Sequence, residues 1–253
     1  YTNNDSQVVA TNDTDGNISL DEPRERTLRV THIVGEQYGA LYGTYFNRDD
    51  QGRIIHEMSQ GYPRPSLNTS RKILGFGVPP QQLGIGASFR YKDFNASFLV
   101  EGKAGGQIFS GTNVRLIGYG LHKMTVPAGG RESGFVPDGV LEDGTPVTQS
   151  LDYSQQQSYW GRYNDVAEAG IRDSDYFRMR QMAIGYTFPS SMLEGTFIEA
   201  ASVSLIGKNL FFITNDVENV DPESAYNNSN SAGLEFAGMP VPRTIGLNVN
   251  LKF

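Results

Sequence analysis

The chain has 253 residues, a net charge of −7, 38% hydrophobic residues and no cysteine. These values leave no disulfide framework, no cysteine metal site and no case for nucleic-acid binding. A mean hydropathy of −0.40 reads as water-soluble, and no run approaches the ~18 apolar residues of a membrane helix; neither test bears on a β-barrel, whose strands are only half apolar.

Residues 1–26 are acidic and nearly free of large apolar groups, and they read as a solvated loop or linker. The chain opens at Tyr1 with neither Met nor a basic and apolar leader. The expectation is therefore a mature chain, or a piece of a longer one, with no signal peptide of its own. Residues 27–57 hold the short strand-like runs "TLRVTHIV" and "LYGTYF", with "NRDDQGR" as a turn before "IIH". Pro63, Pro65, Pro79 and Pro80 make 58–80 read as loop.

The clearest pattern follows. Leu83, Ile85, Ala87, Phe89 and Tyr91 alternate with Gly84, Gly86, Ser88 and Arg90. After a tight turn at Lys92-Asp93, Phe94, Ala96, Phe98 and Val100 alternate with Asn95, Ser97, Leu99 and Glu101. This spacing predicts a hairpin with one apolar and one polar, small-residue face, and 105–121 is expected to prolong its second strand. Residues 122–173 read as a long Gly-rich polar stretch around Trp160, the kind of segment that often carries function. Alternation returns at 174–188, passes a short connection near "PSSMLEG" and continues in "ASVSLIGKNLFF". An Asn-rich loop fills 214–241. The chain ends on "TIGLNVNLKF", where Ile245, Leu247, Val249, Leu251 and Phe253 alternate with Thr244, Gly246, Asn248, Asn250 and Lys252.

Short turns thus lie at one end of the strands (92–93 and 189–196) and long polar loops at the other (119–173 and 214–241). Outer-membrane barrels show that asymmetry. Ten residues at ~3.4 Å, tilted by ~45°, rise about 24 Å, close to the ~25 Å apolar band of such a barrel.

Motifs for chemistry are sparse. His32, His56 and His122 have no metal-binding spacing, and "GFGVPP" and "GIGASF" fail the dinucleotide fingerprint at its third glycine. Asp49-Asp50 reads as a solvated turn. "TNDTDGNISLDE" (11–22) nearly matches a calcium loop, with Asp13, Asp15, Asn17 and Glu22 at ligand positions but Thr11 where the first Asp belongs. Ordinary loop chemistry explains the same residues. No metal or cofactor is expected. Tyr153, Tyr159, Trp160 and Tyr163 are candidates for contact with a substrate or a lid; the competing reading is that they pack the loop together.

"VGEQYGALYG" (34–43), "NRDDQGRI" (47–54), "FRMRQMAIGYTFP" (177–189), "LIGKNLFF" (205–212), "DPES" (221–224) and "MPVPRTIGLNVNLKF" (239–253) resemble, in order, the C-terminal part of SusC/RagA-type TonB-dependent outer-membrane transporters of Bacteroidetes. "GVLEDGTPVTQSL" (139–151) is similar to their large external loop. The resemblance implies an all-β chain: 27–253 as the C-terminal portion of an antiparallel transmembrane barrel of about 22 strands, with 119–173 and 214–241 facing the cell exterior. It implies no enzyme. It implies import of an oligosaccharide or peptide with a plug, a SusD-like lipoprotein lid, the TonB complex, surrounding lipid and a dimeric assembly as partners. Roughly the last six to eight strands fit in this length. The last strand would close the barrel with Ile245, Leu247, Val249 and Leu251 toward lipid, and the terminal Phe253 would be an assembly signal. A secreted β-sandwich that binds carbohydrate is the alternative.

Overall fold

The computed structural model describes residues 1–12, 16–24, 27–224, 226 and 232–253. In chain order the strands begin with β1 (Thr2–Asn3), β2 (Asn17–Asp21), β3 (Leu28–Ile33), β4 (Ala40–Phe46), β5 (Ile55–Ser59), β6 (Tyr62–Pro65) and β7 (Leu67–Phe76). They continue as β8 (Gln81–Tyr91), β9 (Phe94–Ala104) and β10 (Gln107–Ser110), followed by helix α1 (Gly111–Gly118) and β11 (Val140–Leu141). Helix α2 (Tyr153–Gly161) precedes β12 (Ile171–Asp173) and β13 (Tyr176–Phe188). The short helix α3 (Ser190–Leu193) leads to β14 (Ala200–Asn215), β15 (Leu234–Glu235) and β16 (Thr244–Lys252).

Among the described residues the largest sheet has the order β1-β8-β9-β13-β14-β16, and every neighbour in it is antiparallel. We call it the wall. The expected hairpin is there: Leu83 lies opposite Gly102 and Tyr91 opposite Phe94. Lys92 turns the chain with φ 53°, the left-handed conformation of a two-residue hairpin turn. The wall is open, bounded by the two-residue β1 and by β16.

The other strands form small sheets on the long-loop side: β2-β3-β4-β7, β11-β5-β6 and β12-β10-β15. Several expectations change here. Asn17–Asp21 pairs with β3 and Thr2–Asn3 with β8, so part of 1–26 is strand and not free linker. The runs in 27–57 join two separate sheets, β3 and β4 in one and β5 in another, which leaves fewer long wall strands than the six to eight expected from length. Residues 58–80 are largely strand. Pro63 and Pro65 fit because β6 is an edge strand, where a missing N–H breaks no second ladder. Residues 105–121 do not prolong β9. Gly105, at φ 83°, bends the chain away, and Ser110 caps α1 by accepting from Asn113 N.

Nor is 122–173 structureless. It supplies α2 and most of one apolar cluster: Ile117, Leu151, Tyr159, Trp160, Tyr163, Val166 and Ala169 with Phe46 and Tyr62. A second cluster joins Leu28, Val30, Leu41, Phe109, Val114, Ala167 and Leu234. Helix α1 belongs to both, through Ile117 and Val114. These loops form a folded module with its own core. The wall has almost none: of its residues only Tyr176 and Ala201 are buried hydrophobics among those described. Its hairpin stem continues into the module, since β10 pairs with β12 just above β9 and β13. Gly105 N donates to Asp175 Oδ1 at 2.8 Å and Ser174 N to Gly106 O at 2.9 Å, closing that neck.

Candidate functional site

Direct cross-strand partners share a face, so register lays out both surfaces of the wall. One row reads Phe89, Ala96, Ile184, Leu205, Leu247. The next, toward the short turns, reads Tyr91, Phe94, Tyr186, Val203, Val249. The row on the other side reads Ala87, Phe98, Met182, Gly207, Ile245. This face is apolar across the sheet and uncovered; Leu247 is 69% exposed. At its short-turn end aromatic rings gather: Phe94 lies 4.8 Å from Tyr186, Tyr186 5.2 Å from Phe188, and Phe197 stacks on Phe253 at 5.6 Å. The opposite face is small and polar, with rows such as Arg90, Asn95, Gly185, Ser204, Asn248, interrupted by Leu99 and Ile206. Ile245, Leu247, Val249 and Leu251 are therefore together on the apolar face and Gly246 and Asn248 on the polar one.

Near the long-loop end the polar face carries a charged cluster. Arg180 has no pairing partner between Met179 and Gln181 on either side, and this bulge adds a second arginine beside Arg178. Arg178, 3% exposed, binds Asp221 and Glu223 and lies 3.9 Å from the Phe212 ring centroid. Arg180 reaches Glu223 at 2.6 Å, Glu101 at 2.7 Å and Asn209 at 2.8 Å, and Tyr176 donates to Glu223 at 2.7 Å. Burial by itself would raise the Glu223 carboxyl; the bonds from Arg180 and Tyr176 outweigh it and hold the group below its ordinary range. Asp221 also accepts from Val241 N, so both limbs of the loop after β14 are fastened to β13. The same loop is tied to α1. Glu235 is buried and accepts from Ser110 Oγ at 2.7 Å and Thr112 Oγ1 at 2.6 Å, and Asn113 donates to Glu218 O at 2.9 Å. Sequence reading missed this cluster. Its signal was two arginines at i and i+2 in a strand, facing "DPES" in the opposite loop.

The aromatic candidates separate. Tyr159, Trp160 and Tyr163 are buried in the first cluster, with ring centroids 5.0 to 5.9 Å apart. Their rings pack the module, and burial leaves them little surface for a substrate or lid in this arrangement. Tyr153, on the first turn of α2, is 66% exposed. Helix α2 begins with a capping box: Asp152 accepts from Gln155 N, and the Gln155 side chain accepts from Asp152 N. Tyr153 and exposed Tyr119 flank a cleft of about 100 Å³ lined also by Trp160, Arg131, Gln156 and Gln157. On the far side of the cluster His56 is fully buried. Its Nδ1 donates to Ile54 O at 3.2 Å, which leaves Nε2 to accept from Tyr159 Oη at 3.2 Å. Burial lowers the His56 pKa and raises that of Tyr159.

Asp13 and Asp15 of the calcium-like stretch lie outside the described residues. Asn17 is in β2, and Glu22 pairs with Arg29 at 3.4 Å and Arg71 at 3.6 Å. No helix of the described residues is long and apolar enough to cross a membrane, which says nothing of strands.

No family model matches the chain. It is similar to TonB-dependent receptor P3 of Formosa agariphila, 24% identical over 277 aligned residues that cover 100% of this chain and 26% of that protein. It is also similar to TonB-dependent receptor P26 of the same organism, 24% identical over 186 residues covering 72% of this chain and 18% of that protein. Among solved structures, the RagAB peptide importer in its "closed-closed" state matches with a TM-score of 0.60 and 13% identity over 94% of this chain and 25% of that one. Its "open-open" state matches with a TM-score of 0.58 and 15% identity over 93% of this chain and 24% of that one. The chain spans about a quarter or less of the length of these proteins. The resemblance to SusC/RagA-type TonB-dependent transporters read from short phrases is found again by sequence and by fold, and the matched proteins are receptors and transporters, not enzymes.

Proposed function

We propose that this chain is the C-terminal wall and external-loop portion of a TonB-dependent, SusC-like transporter that takes up a nutrient across an outer membrane. The observation that carries this reading is the two-faced wall. A protein in water covers the apolar face of a sheet with another layer, because exposing a large contiguous patch is costly and invites association. Here a core has been built in the loops while the apolar face stays open, and the other face is polar, as lipid outside and a filled lumen inside require. A β-sandwich would place a second sheet over Leu205 and Leu247; both are exposed.

On this reading β16 is the closing strand, whose uncovered edge pairs with the first strand of the barrel, since an open edge is not tolerated in lipid. The ring cluster around Phe94 and Phe253 is the aromatic girdle at the periplasmic interface, and the module faces outward. A SusD-like lipoprotein over the module, TonB acting through a part of the protein beyond this sequence, and a dimeric assembly complete the reading. The substrate is an oligosaccharide or peptide, and Tyr153 is the retained contact candidate.

The chain has no cysteine, which makes orientation testable. In a transporter without other cysteines, Glu142→Cys should react with a membrane-impermeant maleimide in intact cells, and Lys92→Cys only after permeabilisation. The reverse pattern would overturn the topology; a protein absent from the outer-membrane fraction would overturn the function.

A further inference from the structure

We infer that His122 is a proton-operated latch: on taking up a proton it leaves the turn it caps and pairs with Glu218 on the loop after β14. The contacts involved lie within the module and are independent of what the chain transports.

The segment after α1 folds back on the helix, where Leu121 N and His122 N both donate to Leu116 O, at 2.6 and 3.0 Å. A short 3-10 turn, Lys123–Thr125, follows with His122 as its cap. His122 Nδ1 accepts from Met124 N at 3.2 Å, and its carbonyl accepts from Thr125 N at 3.0 Å and Thr125 Oγ1 at 2.7 Å. A neutral imidazole has one donor and one acceptor nitrogen. With Nδ1 accepting, the hydrogen is on Nε2. The ring is 5% exposed, and Nε2 has no hydrogen-bond partner among the described residues. It lies 3.7 Å from Glu218 Oε2, too far for a hydrogen bond and near enough for an ion pair. Buried donors are nearly always satisfied, so the neutral state leaves one demand unmet.

A second proton can add only at Nδ1, the atom that caps the turn. Two N–H groups then face each other, and the cap is lost. The gain is a cationic ring beside Glu218. That residue is placed to receive it. Its carbonyl accepts from Asn113 Nδ2 on α1 at 2.9 Å, and Lys123 Nζ holds its Oε1 at 2.7 Å while Oε2 lies toward the ring. The charged groups that face the imidazole are Arg172 of β12, Glu218 and Lys123. Burial is the largest influence and lowers the His122 pKa; Arg172 and Lys123 lower it further, and Glu218 raises it. Arg172 is itself tied to Ala169 O at 2.9 Å and Ile171 O at 2.7 Å. The two protonation states thus favour different contacts, which is what a two-state element requires. His56 has no such conflict, because the Tyr159 hydroxyl that donates to its Nε2 can turn and accept instead. Leu121, Met124 and Val126 are exposed on the segment that His122 holds, so the proton loosens an apolar strip on the module surface.

The test uses the complete protein that contains this chain, purified in detergent, between pH 8 and pH 4. Exchange of the imidazole C2 hydrogen, read by mass spectrometry, follows the titration of His122 itself. Amide protection factors, corrected for intrinsic exchange, follow residues 121–126. His122 should titrate below its ordinary 6.5, and protection of 121–126 should fall through the same midpoint by up to about tenfold per pH unit, the limit for one proton. Helix α2 should change less. His122→Asn keeps a capping oxygen without titrating, and should remove the fall. Glu218→Gln should move both midpoints down, and Lys123→Gln should move both up; a residue that only packs would show neither shift. Protection that ignores the His122 midpoint, a fall that survives in His122→Asn, or an equal fall in α2 would overturn the latch. So would a midpoint indifferent to both charge changes. If His122→Asn does not fold, the two surface variants decide alone.

Discussion

At the scale of single residues the wall makes a sharp distinction between neighbours. Leu247 and Asn248 are adjacent in β16 but belong to opposite faces. An arginine on the lipid face near mid-bilayer costs about 2–4 kcal/mol in outer-membrane barrels, while a lumen position tolerates charge. Leu247→Arg or Val249→Arg should therefore sharply reduce assembled protein in the outer-membrane fraction, and Asn248→Arg should leave it near wild type. Equal damage from both kinds of change would refute the assignment of faces. His56 gives a second residue-scale prediction. Its folded pKa lies below the ordinary 6.5 because of burial, so the unfolded chain takes up a proton first as pH falls. Stability is lost from about pH 6.5 downward until the folded His56 itself titrates. His122, also buried with a lowered pKa, adds to the same slope. Glu223, with a depressed carboxyl pKa, adds a further loss below its ordinary 4.5. Hydrogen-exchange protection factors of the module, corrected for the intrinsic exchange rate at each pH, should fall between pH 7 and pH 5, and His56→Asn should flatten part of that change.

At the scale of elements, the strands with alternating residues were legible and the loops were not. The hairpin at 83–101 and the strands at 176–188 and 200–212 follow from a period of two, a signal local to each strand. Helix α1 was hidden because 105–121 is moderately apolar without a long period, and its start depends on Gly105 and the Ser110 cap. The aromatics of 153–163 were visible as residues, but whether they face a ligand or one another depends on partners such as Phe46, Tyr62 and Leu151, distant in sequence. The charged cluster joins residues 101, 178, 180, 221 and 223, which only the folded wall brings together. It fixes the loop after β14 to the wall. Removing one partner of a buried ion pair costs about 3–5 kcal/mol. Arg178→Ala should release residues 216–243 to limited proteolysis in the assembled protein, with the β8–β9 hairpin still protected. If that loop stays as resistant as in wild type, the cluster is not its anchor.

The molecule as a whole divides its apolar groups between two solvents. The module buries its own around α1; on the proposed reading the wall offers its own to lipid. Residues 27–253 transferred to water should associate through the open face and the β16 edge, and detergent should disperse them. Sedimentation velocity with and without detergent checks this, and a monodisperse monomer in plain buffer would contradict the wall assignment. The closed neck between β9 and β13 has a consequence in time. These strands are wall neighbours separated by residues 105–175. Closing a free chain of that length instead of a two-residue turn costs roughly 3 kcal/mol in entropy. A module that folds first, with β10 already beside β12, presents β9 and β13 to each other as the two arms of a ready-made hairpin. The wall can then zip from one short connection to the next, and the excursion that looks like an obstacle to assembly becomes the step that prepares it.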